Sequence, residues 1–78
     1  MKIQVLGPGC AKCNKLYTAV QEALAQSGVN AELTKVDKLE EIMKFGTPFT
    51  PGLVIDGEVK SAGRIPSAGD IAQWLAAG

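Results

Sequence analysis

Ile3-Gln4-Val5-Leu6-Gly7-Pro8-Gly9-Cys10-Ala11-Lys12-Cys13 is the stretch whose reading decides the fold. Its first four residues form a short apolar strand, Gly7-Pro8-Gly9 is a turn, and Cys10-Ala11-Lys12-Cys13 opens a helical pattern. The chain has two cysteines in 78 residues, and both stand at this strand-to-helix junction.

Thiols at i and i+3 on a helix start are within disulfide reach of one another, yet they meet different surroundings. Reading the helix forward, Cys13, Leu16, Tyr17, Val20 and Leu24 fall on one stripe at spacings of three and four. Cys13 is therefore expected to face inward. Cys10 is expected at the mouth of the turn, beside the unpaired N–H groups of the helix N-terminus, which favour an anion. Such a setting brings a cysteine pKa from about 8.5 into a range of roughly 3.5 to 7.5, and the thiolate is the attacking species in exchange. The expected roles are that Cys10 attacks and Cys13 resolves.

Two structural readings compete with redox chemistry. A closed zinc site takes four Cys, His or carboxylate ligands, usually from a second Cys or His pair. This chain has no His and no third Cys, so no metal ligand is assigned. A structural disulfide here would close too short a loop to remove much chain entropy.

Length and composition narrow the classes further. Residues 1–78 are read as one domain, near the size at which a single core only just suffices. Eight Lys and Arg cancel eight Asp and Glu, and no basic run occurs, which argues against a nucleic-acid or anionic-membrane partner. The apolar runs are too short to span a bilayer. Met1-Lys2-Ile3 leads directly into the strand without the apolar core of a signal peptide, so a cytoplasmic location is expected. In that setting a lone C-x-x-C is more often catalytic or metal-binding than structural.

Along the rest of the chain, the first helix is predicted from about Ala11 to about Ser27, stopping at Gly28. Ala31 to Val36 reads as a strand. Asp37 with Glu40 makes a capping-box pattern ahead of Leu39, Ile42, Met43 and Phe45 at helical spacing, in a short helix ending by Gly46. Between Gly46 and Gly52, Pro48 and Pro51 exclude regular structure. Leu53-Val54-Ile55 is the apolar run of a buried strand, and Asp56-Gly57 is a hairpin turn sending the chain back through Glu58 to Ala62. Ser67 with Asp70 caps a closing helix, with Ala68, Ile71, Ala72 and Leu75 as its buried stripe. The predicted fold class is α/β in the order β-α-β-α-β-β-α, a four-stranded mixed sheet flanked by three helices. Active loops of such sheets lie beyond the carboxyl ends of the parallel strands, where Cys10 falls.

The C-x-x-C helix start, Thr50-Pro51 before an apolar strand, the Asp56-Gly57 hairpin and the late Gly63 together resemble the thioredoxin fold, specifically the small thioredoxin-like or glutaredoxin-like redox-active disulfide proteins. The resemblance runs from Lys2 to about Leu75. It implies a cis Pro51 lying against the cysteine pair and a backbone at Thr50 that pairs with an extended substrate segment. Three features depart from the typical thioredoxin pattern: Gly9 replaces the tryptophan before the first cysteine, Ala11-Lys12 the usual dipeptide, and Gln4 a buried acid. Lys12 is a nearby cation that could stabilise a thiolate. Trp74 and Tyr17 are expected to close the core.

The leading functional expectation is a monomeric dithiol-disulfide oxidoreductase without a cofactor. It would reduce a protein disulfide through Cys10 and Cys13 and be regenerated by a reductase or by glutathione. The rival is a copper-binding chaperone module using the same C-x-x-C, since two thiolates suit Cu(I). That ferredoxin-like fold runs β-α-β-β-α-β and ends on a strand, whereas Ser67 to Ala77 reads as a terminal helix.

Overall fold

A computed structural model describes residues 1–9, 11–46 and 49–77. Strand β1 (Lys2–Leu6) leads to helix α1 (Ala11–Ser27) and strand β2 (Glu32–Val36), followed by helix α2 (Leu39–Met43). Strands β3 (Gly52–Ile55) and β4 (Glu58–Ala62) then form a hairpin, and helix α3 (Ala68–Ala77) comes last. This is the predicted element order. The four strands lie in the order β2-β1-β3-β4, with β1 and β2 parallel and the other two pairings antiparallel.

Period-two alternation divides the apolar residues between the two faces of the sheet. Ile3, Val5, Leu53 and Ile55 meet Leu16 and Val20 of α1 and Ile71 and Leu75 of α3. Tyr17, Leu24, Leu33 and Trp74 pack half-buried against this cluster, so both aromatic residues close the core as expected. On the opposite face Leu6, Val36 and Val54 meet Ile42 of α2, with Phe45 beside them. Each large aliphatic side chain buried in these clusters contributes roughly 1.5 to 3 kcal/mol.

The punctuation of the chain is largely as read. Gly28 ends α1 at φ +69° and donates its N–H to Leu24 O at 3.1 Å, a left-handed helix stop. Asp56 and Gly57 both have positive φ, 50° and 82°, as the tight hairpin turn requires. Asp56 also ties this turn to the start of β1: its Oδ1 accepts from Lys2 N and its N–H donates to Lys2 O, both at 2.8 Å. Ser67 Oγ accepts from Asp70 N at 3.1 Å, closing the cap of α3.

Three expectations need correction. Asp37 does not cap α2: the N-cap is Lys38, which makes no side-chain cap bond. The helix starts beyond Asp37, so that residue continues from the end of β2 instead. A helix of five residues turns only a narrow stripe toward the sheet, so Ile42 is buried while Leu39 and Met43 are 65% and 60% exposed. In α3, Ile71 and Leu75 are buried but Ala68 and Ala72 are exposed, lining an open groove beside Ala19, Glu22 and Ala23 of α1. Strand β2 begins at Glu32, not Ala31, within the usual uncertainty of an element end. The Thr47-Pro48 part of the irregular segment lies outside the described residues.

Candidate active site

One end of the sheet collects four segments that are far apart in sequence. The rung Leu6↔Gly52 brings the residue after β1, Gly7, to the same end as the residue before β3, Pro51. Gly7 N donates to Val36 O at 2.9 Å, which ties in the end of β2. Gly63 N donates to Pro51 O at 2.9 Å, which ties in the end of β4. The first turn of α1 stands over this junction.

Cys13 lies there on the inner stripe of α1 and is 4% exposed, the inward placement that the helical spacing predicts. It is not a free thiol in the structure. Cys10, the expected attacking residue, immediately precedes α1 in sequence and lies outside the described residues. Lys12 is exposed on the first turn of α1.

Gly7 is required by close approach, not by an unusual backbone conformation. A Cβ built on it would overlap Cys13 Sγ and stand 2.7 Å from Cys13 Cβ. Real carbon atoms keep about 3.5 to 4.0 Å apart, so any side chain at Gly7 would displace the cysteine. The sequence shows Gly7 only as part of a turn; this packing role becomes visible when α1 is placed over β1.

The Thr50-Pro51 bond is cis, as the family resemblance implies. Pro51 is buried and Thr50 half-buried, next to Phe49, which is 64% exposed. Gly63 has φ +80°, and a Cβ there would meet Phe49 Cβ at 3.3 Å. The loop after β4 therefore lies closely against the segment that carries Pro51.

Behind Cys13 is a cavity of about 110 Å³ lined by Val5, Gly7, Gly9, Cys13, Asn14, Lys35 and Asp37. Lys35 Nζ is 3.5 Å from Asn14 Oδ1 and 4.6 Å above the centre of the Tyr17 ring. That ring face attracts a cation. Lys35 was not singled out from the sequence, and Asp37 was read there only as a helix cap. A signal was present in the alternation of Leu33, Lys35 and Asp37, which puts all three on the face turned to α1. Gln4, at the position of the buried acid in typical thioredoxins, lies on the other face, beside Val36, Glu41, Lys44 and Phe45.

Comparisons with known proteins agree with this architecture. A family model described as thioredoxin domain matches residues 1–76. A thioredoxin of Methanothermobacter thermautotrophicus is 40% identical over 75 residues, covering 96% of this chain and 97% of its own length. A thioredoxin of Methanocaldococcus jannaschii is 37% identical over 73 residues, covering 94% of this chain and 84% of its own. With its mixed sheet, its C-x-x-C at the start of α1 and this full-length likeness, the chain belongs to the thioredoxin domain family.

Proposed function

We propose that this chain reduces protein disulfides as a cytoplasmic, monomeric, single-domain thiol-disulfide oxidoreductase that uses Cys10 and Cys13. The observation that carries the reading is the buried position of Cys13 on α1, pressed against Gly7, one helical turn from the cysteine that precedes the helix. A buried thiol cannot meet a bulky substrate first, but it can reach a neighbour three residues away.

In the proposed cycle the Cys10 thiolate attacks one sulfur of the target disulfide. A Cys10–target bond forms, and the target's other sulfur leaves with the electron pair and takes a proton. Cys13 then loses its proton and attacks Cys10 Sγ. The Cys10–target bond breaks, and the second target sulfur leaves as a thiolate that is protonated in turn. The target disulfide gains two electrons and the Cys10/Cys13 dithiol loses them. Thr50 supplies backbone pairing to an extended substrate segment beside Pro51, and Lys12 lends positive charge to the thiolate of Cys10. The likeness to proteins named thioredoxin favours a reductase over glutathione as the electron donor.

The copper-module reading has less support, because the first two strands are followed by a second helix and then a β3-β4 hairpin, a connection that differs from the β-α-β-β-α-β order of that fold. No helix among the described residues is long and apolar enough to cross a membrane.

The test is covalent trapping. Cys13→Ser is expected to accumulate mixed disulfides through Cys10, since the intramolecular attacker is gone, whereas Cys10→Ser accumulates few. Equal trapping by both variants on non-reducing gels would contradict the ordered roles.

A further inference from the structure

We infer that Arg64, together with Phe49, selects the target by charge: the protein disulfide that this chain reduces carries a carboxylate close to its cysteine, beside a large apolar residue. The inference rests on the dithiol reading above, with its backbone pairing at Thr50, and adds to it the side chains that the target must present.

Arg64 belongs to the loop after β4, and that loop is fastened to the Pro51 segment. Gly63 N donates to Pro51 O at 2.9 Å, and a Cβ at Gly63 would stand 3.3 Å from Phe49 Cβ. The approach is this close because position 63, at φ +80°, carries no side chain. Arg64 follows directly and is exposed, so the guanidinium is carried on the rim along which the target segment passes. Among the described residues Arg64 makes no ion pair; Lys60, further back on β4, is paired with Glu58 at 3.3 Å. The carboxylates of this end stand elsewhere. Asp70, the nearest acid in sequence, is half-buried on the first turn of α3. Asp37 lines the cavity behind Cys13 and follows β2, which β1 and β3 separate from β4 in the sheet. Lys12, exposed on the first turn of α1, adds positive charge to the same end.

Phe49 immediately precedes Thr50 and is 64% exposed, whereas Phe45 packs half-buried against Leu6, Val36, Ile42 and Val54. A segment laid along Thr50 passes over Phe49, and burying that apolar surface favours an apolar residue in the target. The same contact strips water from the neighbouring guanidinium. That desolvation is unfavourable unless a carboxylate replaces the water, through a charge-assisted hydrogen bond. An aromatic residue beside an arginine is also the composition that protein interfaces favour. A basic target meets repulsion at the same place, so the rim rejects one class of segment as well as attracting another.

The test uses the full-length reduced protein and synthetic peptides joined as disulfide dimers, each peptide of the form Zaa-Xaa-Cys-Xaa-Zaa within a Ser-Gly context. Xaa is Leu or Ser and Zaa is Glu or Lys, so either direction of pairing presents the same groups. Released peptide thiol is followed by acid quench and chromatography, and each rate is divided by that of dithiothreitol with the same peptide, which removes differences in intrinsic reactivity. The wild type is expected to prefer Glu over Lys flanks roughly 5-fold at low ionic strength, with the preference largely lost in about 1 M salt. Arg64→Glu should reverse the preference and Arg64→Lys should retain most of it, at unfolding midpoints equal to that of the wild type. Phe49→Ser should remove a preference of roughly 5-fold for Leu over Ser beside the cysteine. Equal wild-type rates for Glu and Lys flanks, or a preference that Arg64→Glu leaves in place, overturn the inference while the dithiol reading stands. So does a Leu preference that survives Phe49→Ser. A protein that reduces none of the peptides yet releases both chromophores of 5,5′-dithiobis(2-nitrobenzoate) also overturns the inference alone. One that reacts with neither removes the dithiol reading, and the inference with it.

Discussion

Replacing Gly7 by alanine tests whether Cys13 is held by the packing described above. The added Cβ would lie 2.7 Å from Cys13 Cβ and overlap its sulfur, so the first turn of α1 must retreat by roughly 1 Å to restore ordinary contact. The strand cannot give way instead without loss. Gly7 N is bonded to Val36 O at 2.9 Å, and the neighbouring Leu6 is fully buried in the sheet. Overpacking of this kind costs about 1 to 3 kcal/mol, which weakens the folding equilibrium roughly 5- to 150-fold. Displacing Cys13 by an ångström should also slow its attack on the neighbouring sulfur, by up to about 10²-fold. Urea unfolding of the reduced protein measures the first effect, and the rate at which reduced protein releases the second thiolate of 5,5′-dithiobis(2-nitrobenzoate) in single-turnover stopped flow measures the second. Gly28→Ala is the control, because its φ of +69° strains any side chain but nothing lies within 4 Å. It should lose about 1 to 2 kcal/mol without touching the resolving step. A Gly7→Ala protein with both the unfolding midpoint and the resolving rate of wild type would refute the claim that this glycine makes room for Cys13.

Other substitutions probe the frame that carries the site. Ser67→Ala removes the side-chain acceptor of Asp70 N and should cost about 0.5 to 2 kcal/mol, seen in thermal unfolding as a Tm lowered by about 4 to 8 °C for each kcal/mol lost. Asp56→Ala loses both the acceptor for Lys2 N and a residue tolerant of φ +50°, whereas Asp56→Asn keeps both. Alanine should therefore be the less stable by about 1 to 2 kcal/mol in urea titration, and equal stability would show that the turn does not anchor β1. Ser61 is buried and its Oγ has no hydrogen-bond partner among the described residues, so Ser61→Ala should leave stability unchanged or raise it by about 1 kcal/mol; a clear loss would reveal a partner for that hydroxyl.

What could be read from the sequence was mostly local. The stripe of α1, the stop at Gly28, the hairpin at Asp56-Gly57 and the cap at Ser67 each depend on residues within a few positions of one another, and each was found where the spacing placed it. The second helix is present and short as expected, but its cap was misread for the same reason. Asp37 and Glu40 fit a capping box locally, but the helix starts one residue too late for Asp37 to cap it, and Lys38 holds the N-cap position. The inward turn of Cys13 was legible from periodicity, and the cis Thr50-Pro51 bond was reachable only through family resemblance. The packing role of Gly7 could not be recognised locally, and the alternation of Leu33, Lys35 and Asp37 gives their face but not their nearness to Cys13, because both arise from contacts between elements.

Those contacts depend on register, and the register is set by a burial constraint on the face away from the site. Residues 33, 35 and 37 turn toward α1 only if β1 and β2 pair as Leu6↔Val36. Val36 is 7% exposed and packs with Leu6, Val54 and Ile42 beneath the sheet, while Leu33 packs with the cluster under α1. A slip of one residue would exchange these faces. It would turn Val36 toward the Cys13 cavity, take Lys35 from the Tyr17 ring and bury it near Ile42, and carry Asp37 away from the thiol. Burial of one valine under α2 thus excludes the slipped pairing, which would place a charge in an apolar cluster with no partner to offset it. The short helix whose own apolar residues are mostly exposed still determines which side chains stand behind Cys13, because its one buried residue, Ile42, covers Val36.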